Sequence, residues 1–305
     1  MKKHIVIGSR GSRLAEIQAR WVLTTLASIY PDVEFSLTKI TTRGDRQKTV
    51  PLDRIPGYGV FVKELQEALL DGRIDLAVHS LKDLPTQTPK ELSLAAVTKR
   101  LDPRDALVSR GRKLNELAPN SVIGTSSPRR TAQLLACRPD LKAAGIRGNI
   151  DTRLRKLSGG EVDGVIVSAA AMIRLGLEDR ITEYLPVEHF LPQPGQGALG
   201  IETRAGDEEI TELVQPLHHE PTWQSVFAER SFLQAMGGGC SAAVACLGTV
   251  SGNTLQLQGM AANNDGILYA TEEGGILAPE QVAKRLAQRL LERGALHTAA
   301  KERGR

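Results

Sequence analysis

Short apolar runs alternate with amphipathic stretches along the first third of the chain. Ile5-Val6-Ile7, Glu34 to Ile40 and Ile74 to Val78 are typical of strands, and the last is apolar enough to be buried on both faces. Between the first two strands, apolar residues recur at the spacing of one helix face: Leu14, Ile17, Trp21 and Leu26. Gly8 to Arg13 is predicted to form a tight polar turn. This βαβαβ alternation predicts a mainly parallel sheet with right-handed crossovers.

The same series returns later in the chain. Three blocks recur in one order: Ile7-Gly8-Ser9-Arg10 as Ile123-Gly124-Thr125-Ser126, Arg43-Gly44-Asp45 as Arg147-Gly148-Asn149, and Gly72 to Ser80 as Gly160 to Ser168. Three blocks in the same order are hard to attribute to chance. We therefore infer two lobes of one topology, residues 1–98 and 103–192, that face each other across a cleft.

Two irregular segments predict crossings between these lobes. Residues 99–103 and 192–197 are rich in proline, glycine and polar residues, and together they would form a hinge. The strand predicted at Leu199 to Glu202 follows the second crossing. It returns the chain to the first lobe, which then includes about residues 198–217.

Residues 218–305 predict a small α+β third domain. A long helix from Pro221 to Met236 precedes three short strands and an amphipathic helix. Between the long helix and the strands lies Gly237-Gly238-Gly239-Cys240-Ser241. Glycines permit positive φ and a close backbone approach, so Cys240 is expected on an exposed loop as an accessible thiol that carries a group. The alternative is a small hydrophobic residue buried in a turn.

The predicted strand at 74–78 runs into a polar turn that contains Ser80, Lys82 and Asp83. Ligands of open α/β sheets bind beyond the carboxyl ends of the strands, so these side chains are candidates for a binding site. The alternative is that Asp83 only caps a turn before Pro85. The repeat places Ala170 and Ala171 opposite Lys82 and Asp83, so the second lobe does not require an acid in that turn. This asymmetry favours function, with Asp83 as the single carboxylate of the cleft.

Each lobe also begins a helix with hydroxyl groups and arginines, around Arg10 to Arg13 and around Thr125 to Arg130. Helix starts offer free N–H groups and the positive end of a dipole, and guanidinium groups add charge-assisted hydrogen bonds. Any single arginine could instead form a surface ion pair. Several at ligand-side turns favour a ligand with multiple carboxylates or a phosphate. The sequence lacks a Walker-type loop, which argues against a nucleotide.

The composition limits the classes of molecule that the protein is expected to bind. Of 305 residues, 41% are hydrophobic and 24% are charged, with a net charge of +4, which is ordinary for a globular protein. Only 4% are aromatic and the basic residues are scattered, which argues against nucleic-acid binding. The three cysteines lack the spacing of a disulfide framework or of a zinc site. With no signal-peptide core or membrane-length apolar run, we expect a cytoplasmic protein with a small-molecule partner, no membrane or nucleic-acid partner, and no metal.

Five motifs stand in one order along nearly the whole chain. They are Val78-His79-Ser80-Leu81-Lys82-Asp83-Leu84-Pro85, Val122-Ile123-Gly124-Thr125-Ser126-Ser127-Pro128-Arg129-Arg130, Ile146-Arg147-Gly148-Asn149, Gly195-Gln196-Gly197-Ala198, and Glu229-Arg230 followed by Gly238-Gly239-Cys240. In residues, order and spacing they resemble the porphobilinogen deaminase (hydroxymethylbilane synthase) family.

The resemblance implies a fold and a reaction. The family has two periplasmic-binding-protein-like lobes of type II with a hinge, plus a small α+β C-terminal domain, so the implied fold class is α/β. Its members join four porphobilinogen molecules head to tail on a dipyrromethane primer. Each addition releases ammonia, and hydroxymethylbilane is then freed by hydrolysis in tetrapyrrole and heme synthesis. The family also suggests a monomer.

The same resemblance assigns roles to residues of this chain. Cys240 would carry the dipyrromethane cofactor through a thioether. Asp83 would be catalytic, because a carboxylate stabilises the cation-like species that remains when porphobilinogen loses ammonia. The residues implied to hold the primer are Ser80, Lys82, Thr125, Ser127, Arg129 and Arg130. Those implied to bind substrate or the growing chain are Arg10, Ser12, Arg147, Asn149, Arg153, Arg174 and Gln196. Arginine forks suit the acetate and propionate groups of each pyrrole.

Three positions depart from the family pattern. Tyr58 stands where a lysine is frequent, and Arg13 and Ala243 stand where proline is common. None of these positions is one of the implied catalytic groups. A different class of protein, a non-catalytic two-lobed binding protein for a small polycarboxylate, would explain the arginines but not the Cys240 loop.

Overall fold

The structure is a computed structural model that describes residues 2–42, 62–237, 243–263 and 265–295. Its strands and helices follow in this order: β1 (His4–Arg10), α1 (Arg13–Ile29), β2 (Glu34–Ile40), α2 (Lys63–Leu70), β3 (Leu76–Ser80), β4 (Leu92–Val97), β5 (Asp105–Ser109), β6 (Val122–Gly124), α3 (Pro128–Cys137), β7 (Lys142–Ala144), α4 (Ile150–Ser158), β8 (Gly164–Ser168), α5 (Ala169–Arg174), β9 (Glu183–Tyr184), β10 (Leu199–Arg204), α6 (Glu208–Val214), α7 (Glu220–Ala235), β11 (Val244–Ser251), β12 (Thr254–Ala262), β13 (Ile267–Gly275) and α8 (Pro279–Glu292). No helix in these described ranges is long and apolar enough to cross a membrane.

The first sheet has the strand order β2-β1-β3-β10-β4. Strands β1, β2 and β3 are parallel, while β10 is antiparallel to both of its neighbours, β3 and β4. One face packs on α1 and α6 through residues such as Val22, Leu26 and Ile210. The other face packs on α2 through Leu65 and Leu69. Burial on both faces explains why β3 is almost entirely apolar.

The second sheet repeats this plan with the order β7-β6-β8-β5-β9. Here β6, β7 and β8 are parallel, and β5 is antiparallel to β8 and β9. The same local hydrogen bond also occurs once in each lobe. Asp75 accepts a hydrogen bond from the Val6 amide at 2.8 Å, and Asp163 accepts one from the Val122 amide at 2.7 Å. The equivalence of Asp75 and Asp163 in the sequence repeat is therefore also an equivalence in structure.

The C-terminal region forms a three-stranded antiparallel sheet, β11-β12-β13, with α8 packed on it. Phe232 of α7 and Leu286 of α8 lie in its core. Glu229, fully buried on α7, accepts the Gly195 amide at 2.7 Å and the Gly248 amide at 2.8 Å. The glutamate of the Glu229-Arg230 motif therefore ties the segment before β10 to strand β11.

The predicted fold class is confirmed: two α/β lobes are accompanied by a small α+β domain. By compactness the chain divides into Met1–Leu101 with Ala198–Trp223, and Asp102–Gly197 with Gln224–Arg305. The division at 101/102 and 197/198 falls within or next to the two predicted crossings. The finer domain boundaries, and the hinge, remain predictions.

Two local predictions were wrong. Gly8, Ser9 and Arg10 belong to β1 instead of a turn, because they pair in register with β2 as far as Arg10 opposite Ile40. The sheets are also mixed instead of mainly parallel, because each receives a strand from a distant part of the chain. A side chain at Gly8 would displace the buried Ile74, since a Cβ there would lie 2.3 Å from Cδ1 of Ile74.

Candidate functional site

The carboxyl ends of β1 and β3 bring Arg10 and Asp83 together. Arg10 is the last residue of β1, and Asp83 lies in a 3₁₀ turn, Leu81–Asp83, directly after β3. Because β1 and β3 are parallel neighbours, both side chains reach the same edge of the sheet. Nη1 of Arg10 lies 3.6 Å from Oδ2 of Asp83, whose side chain is 33% exposed. Within the described residues no hydrogen bond is donated to Asp83, so its carboxylate remains available to a ligand.

A small pocket opens beside Asp83 at this edge. Its polar lining consists of Arg10, Ser12, Gln18, His79, Ser80 and Asp83. Gln18 is buried on α1, with Nε2 and Oε1 at 2.9 and 3.0 Å from Oγ of Ser80. Ser12 caps α1, where its Oγ accepts the Ala15 amide at 3.2 Å. Lys82 is half-buried in the turn.

Sequence reasoning missed Gln18 because it assigned the wrong face of α1. The buried residues are Ala15, Gln18, Ala19, Val22 and Leu26, whereas Trp21 is 48% exposed. Small residues at positions 15 and 19 allow the helix to approach the sheet closely, and a count of large apolar residues does not detect them. A polar residue at a buried helix position was the available signal.

A second buried polar group lies at the end of β3. Nε2 of His79 is 3.2 Å from Oε2 of Glu202 on β10, and both side chains are at most 2% exposed. Oε1 of Glu202 accepts a hydrogen bond from Gln66 of α2 at 2.9 Å. These contacts link α2, β3 and β10 beneath the turn that carries Asp83. Nothing in the local sequence pattern predicted this group.

In the second lobe, the first turn of α3 carries two adjacent arginines that bind one carboxylate. Nη1 of Arg129 donates to Oδ2 of Asp105 at 2.8 Å, and Nη2 of Arg130 donates to Oδ1 at 2.7 Å. Arg129 also donates to the Leu191 carbonyl at 2.6 Å, and Arg130 to the Ile166 carbonyl at 3.0 Å. Burial raises the pKa of Asp105, but the two guanidinium groups outweigh this and hold it well below its usual range. Asp105 is therefore ionised, and the trio retains one positive charge.

That Asp83 is the single carboxylate of the cleft stays a prediction, but a second acid, Asp105, lies fully buried at the corresponding strand end of the second lobe. Asp105 opens β5 and pairs in register with Ser168, the last residue of β8. An acid therefore does lie at this strand end of the second lobe, although it comes from the antiparallel strand and not from the turn at Ala170 and Ala171. Two arginines neutralise the charge of Asp105, whereas Asp83 has a single arginine at 3.6 Å.

The arginines of the second lobe leave donors unused. Nε of Arg129, Nε of Arg130 and Nη1 of Arg147 are buried without an acceptor among the described residues. Arg153 donates its Nε–H to the Gly148 carbonyl at 3.0 Å. Burial, together with weaker repulsion from Arg130 and Arg147, lowers the pKa of Arg153 to about 10. These basic groups are close enough to repel one another, which an anionic ligand would relieve.

The remaining predicted residues of this lobe hold helix starts and turns. Ser127 caps α3 by accepting the Arg130 amide at 3.4 Å, and Asn149 caps α4 by accepting the Thr152 amide at 3.0 Å. Thr125 is buried, and its Oγ1 accepts the Ser127 amide at 3.2 Å. The helix starts are thus ordered by the same hydroxyl and amide groups that were predicted to contact the ligand.

Arg174 and Gln196 lie near the end of the second lobe. Arg174 donates to the Gly197 carbonyl at 2.8 Å, and burial lowers its pKa to about 10. Gln196 is fully buried, and its Nε2 donates to the Pro103 carbonyl at 2.7 Å and to Oδ1 of Asp105 at 2.9 Å. Its amide therefore supports Asp105 from inside the lobe.

Cys240 and the adjoining glycines 238 and 239 lie outside the described residues, as do residues 43–61 with Tyr58. The described residues around the cysteine loop are Gly237, which follows α7, and Ala243, which precedes β11. The other two cysteines differ from a carrier thiol. Cys246 is fully buried in β11, and burial raises the pKa of the partly exposed Cys137.

Two family models match the chain. "Porphobilinogen deaminase, dipyromethane cofactor binding domain" matches residues 5–212, and "Porphobilinogen deaminase, C-terminal domain" matches residues 223–292. The chain is 48% identical over 294 residues to the porphobilinogen deaminase of Pelobacter propionicus, covering 96% of this chain and 95% of the relative. It is 46% identical over 303 residues to that of Thermus thermophilus, covering 98% and 99%.

Solved structures of binding proteins are more distant. The methionine-binding protein MetQ is 15% identical with a TM-score of 0.45, covering 75% of this chain and 94% of that one. The periplasmic aliphatic sulphonate binding protein SsuA of Escherichia coli is 13% identical with a TM-score of 0.40, covering 77% and 70%.

Proposed function

The chain belongs to the porphobilinogen deaminase family, and we propose that Asp83 is its catalytic carboxylate and Cys240 the attachment point of its dipyrromethane cofactor. The enzyme joins four porphobilinogen molecules head to tail, releases ammonia at each addition and frees hydroxymethylbilane by hydrolysis. Its full assignment as a hydroxymethylbilane synthase that acts as a cytoplasmic monomer is part of the proposal.

The unused guanidinium donors of the second lobe carry the proposal. Nε of Arg129, Nε of Arg130 and Nη1 of Arg147 are buried hydrogen-bond donors in need of acceptors. Dipyrromethane bears several carboxylates, so these residues fit the group. Arg129 and Arg130 would hold it, with Ser80, Lys82, Thr125 and Ser127. When bound, it supplies the nucleophilic pyrrole to which the first substrate is joined.

Asp83 has the surroundings of a catalytic carboxylate. Loss of ammonia from porphobilinogen leaves an electron-poor pyrrole, and a carboxylate near its N–H stabilises the positive charge. Asp83 is partly exposed, and Arg10 at 3.6 Å holds it in place without a tight ion pair. Arg10, Ser12, Arg147, Asn149, Arg153 and Arg174 are the proposed contacts to substrate carboxylates. Gln196 was also implied, but its complete burial favours an indirect role.

The intact mass of the purified chain tests the cofactor assignment. We expect a mass above the sequence value by one dipyrromethane, and we expect Cys240→Ser to lose both this increment and turnover of porphobilinogen. Cys137→Ser is the matched control, because that thiol is partly buried and should leave the increment intact. An unmodified wild-type chain that still turns over porphobilinogen would refute the cofactor assignment. A modified chain that does not turn it over would refute the activity.

A further inference from the structure

A fully buried carboxylate lies behind the two adjacent arginines of α3. Asp105 binds Nη1 of Arg129 with one oxygen and Nη2 of Arg130 with the other, at 2.8 and 2.7 Å. Its side chain has no exposed surface, and those of the two arginines are 4% and 8% exposed. Three buried charges are a costly way to stabilise a fold, since apolar side chains of similar volume often serve as well or better. The three buried charges therefore indicate a role other than stabilising the fold.

The contacts of Asp105 determine which edge of each guanidinium group stays available. Arg129 uses only Nη1 for protein acceptors, Asp105 and the Leu191 carbonyl. Its Nε–Nη2 edge can bind a carboxylate with two parallel hydrogen bonds. Nε has no acceptor among the described residues, and the donations of Arg129 recorded there are both from Nη1. Arg130 is held by both Nη atoms and keeps its Nε–H. Rotation of either guanidinium group would break an ion pair with Asp105.

Asp105 is itself fixed from two directions. Its backbone opens β5 in register with Ser168 of β8. Its Oδ1 accepts a hydrogen bond from Nε2 of Gln196 at 2.9 Å, and Gln196 also donates to the Pro103 carbonyl at 2.7 Å. Because Gln196 has no exposed surface, any effect of this amide on a ligand must act through its neighbours.

We propose that Asp105, supported by Gln196, is a positioning residue that aims the free edge of Arg129 and the free Nε–H of Arg130 at the carboxylates of the primer. This inference rests on the proposed function, because it takes the bound group to be the dipyrromethane primer. It gives Gln196 a role behind the arginines in place of direct contact with substrate.

Primer loading measures this role without relying on the activity of the loaded enzyme. Wild-type and Asp105→Asn chains are produced in a host that makes no porphobilinogen, then incubated with porphobilinogen, and the mass gain is followed over time. We expect loading of Asp105→Asn to be at least about 10-fold slower at limiting porphobilinogen, and the concentration for half-maximal loading to rise, because an amide cannot hold both guanidinium groups. Asp75→Asn is the matched control. It removes another buried carboxylate paired with an arginine, far in sequence from α3, and should load at the wild-type rate.

A milder variant covers the case in which Asp105→Asn does not fold. Gln196→Met keeps both ion pairs and nearly the same side-chain volume. We expect loading about 3-fold slower at a temperature where the chain is fully folded, and a modestly lower unfolding temperature, because the Pro103 carbonyl and Asp105 lose a donor. Loading at the wild-type rate in Gln196→Met, and in Asp105→Asn if it folds, would overturn the positioning role alone. Failure of the wild-type chain to gain mass would instead overturn the proposed function.

Discussion

Two carboxylates at corresponding strand ends have opposite surroundings. Asp83 is one-third exposed, receives no hydrogen bond from the described residues, and has one guanidinium group at 3.6 Å. Asp105 has no exposed surface and is bound by two guanidinium groups and an amide. The first can meet a ligand, and the second can only act through its neighbours. Asp83 was predictable because it follows an apolar strand in a repeat. Asp105 was not, because its two partners are 24 and 25 residues away in sequence.

Replacement of Asp83 tests the first of these roles. We expect Asp83→Asn to fold and unfold like the wild type, because the side chain makes no hydrogen bond within the described residues. Turnover of porphobilinogen should fall by about 10²–10⁴-fold, the range typical of a lost acid–base group. Asp71→Asn is the control, since Asp71 is an exposed carboxylate paired with Arg73, and it should keep normal turnover. Turnover within a few-fold of wild type in Asp83→Asn would remove this residue from the mechanism.

At the scale of elements, the sequence predicted most strands and helices and the return of β10 to the first lobe, but not the antiparallel insertion of β10 and β5 into their sheets. Strand Glu34–Ile40 has its predicted bounds. The helix predicted from Pro221 to Met236 spans Glu220–Ala235, so it begins and ends one residue earlier than predicted. Hydrophobic periodicity reports local burial and finds such elements. The antiparallel insertion of β10 and β5 depends on pairings between distant segments, which periodicity does not encode. The buried contacts of Gln18, His79 and Asp105 depend on the same long-range pairings.

The start of β3 gives a prediction for the pH dependence of stability. Burial raises the pKa of Asp75, but hydrogen bonds from Lys2, the Val6 amide and Arg204 outweigh it and hold the pKa below its ordinary value of 3.8. A carboxylate with a lowered pKa in the folded state stabilises the fold above its unfolded pKa, and this contribution is lost as the pH falls through the folded value. We expect Asp75→Asn to reduce the free energy of unfolding by about 1–3 kcal/mol at pH 7. The difference from wild type should become smaller as the pH falls below 3.8, the ordinary value.

Denaturant unfolding at pH 7, 5 and 3 measures this difference. Asp163→Asn is the matched control, because Asp163 accepts the corresponding Val122 amide in the second lobe and its amide replacement can still accept it. A difference between Asp75→Asn and wild type that is the same at pH 7 and pH 3 would contradict the assignment to ionised Asp75.

At the scale of the whole molecule, the second lobe contains basic groups whose hydrogen bonds the described residues do not complete. Three guanidinium nitrogens there lack acceptors among the described residues, and Arg153 is repelled by Arg130 and Arg147. Buried donors without acceptors lower the stability of the folded state when the ligand is absent, and binding of the ligand raises that stability. The cofactor is therefore expected to be part of the folded enzyme's stability as well as of its chemistry.

A comparison of loaded and unloaded chains tests this expectation. We expect Cys240→Ser, which cannot attach the primer, to unfold several degrees below the wild type, and Cys137→Ser to unfold much closer to it. The measurement is thermal unfolding, with intact mass confirming the state of each chain. Equal transitions for Cys240→Ser and the loaded wild type would mean that the unused donors are satisfied in another way.

The position of β10 in the first sheet bears on how the protein is made. Strands β3 and β4 do not pair with each other, since β10 lies between them and bonds to both. On the ribosome they must therefore wait until residues 199–204 emerge. The second sheet needs only residues 105–184, so all of its strands emerge before β10 emerges. The lobe that is translated second can then close its sheet first, and the order of assembly is the reverse of the order of the sequence.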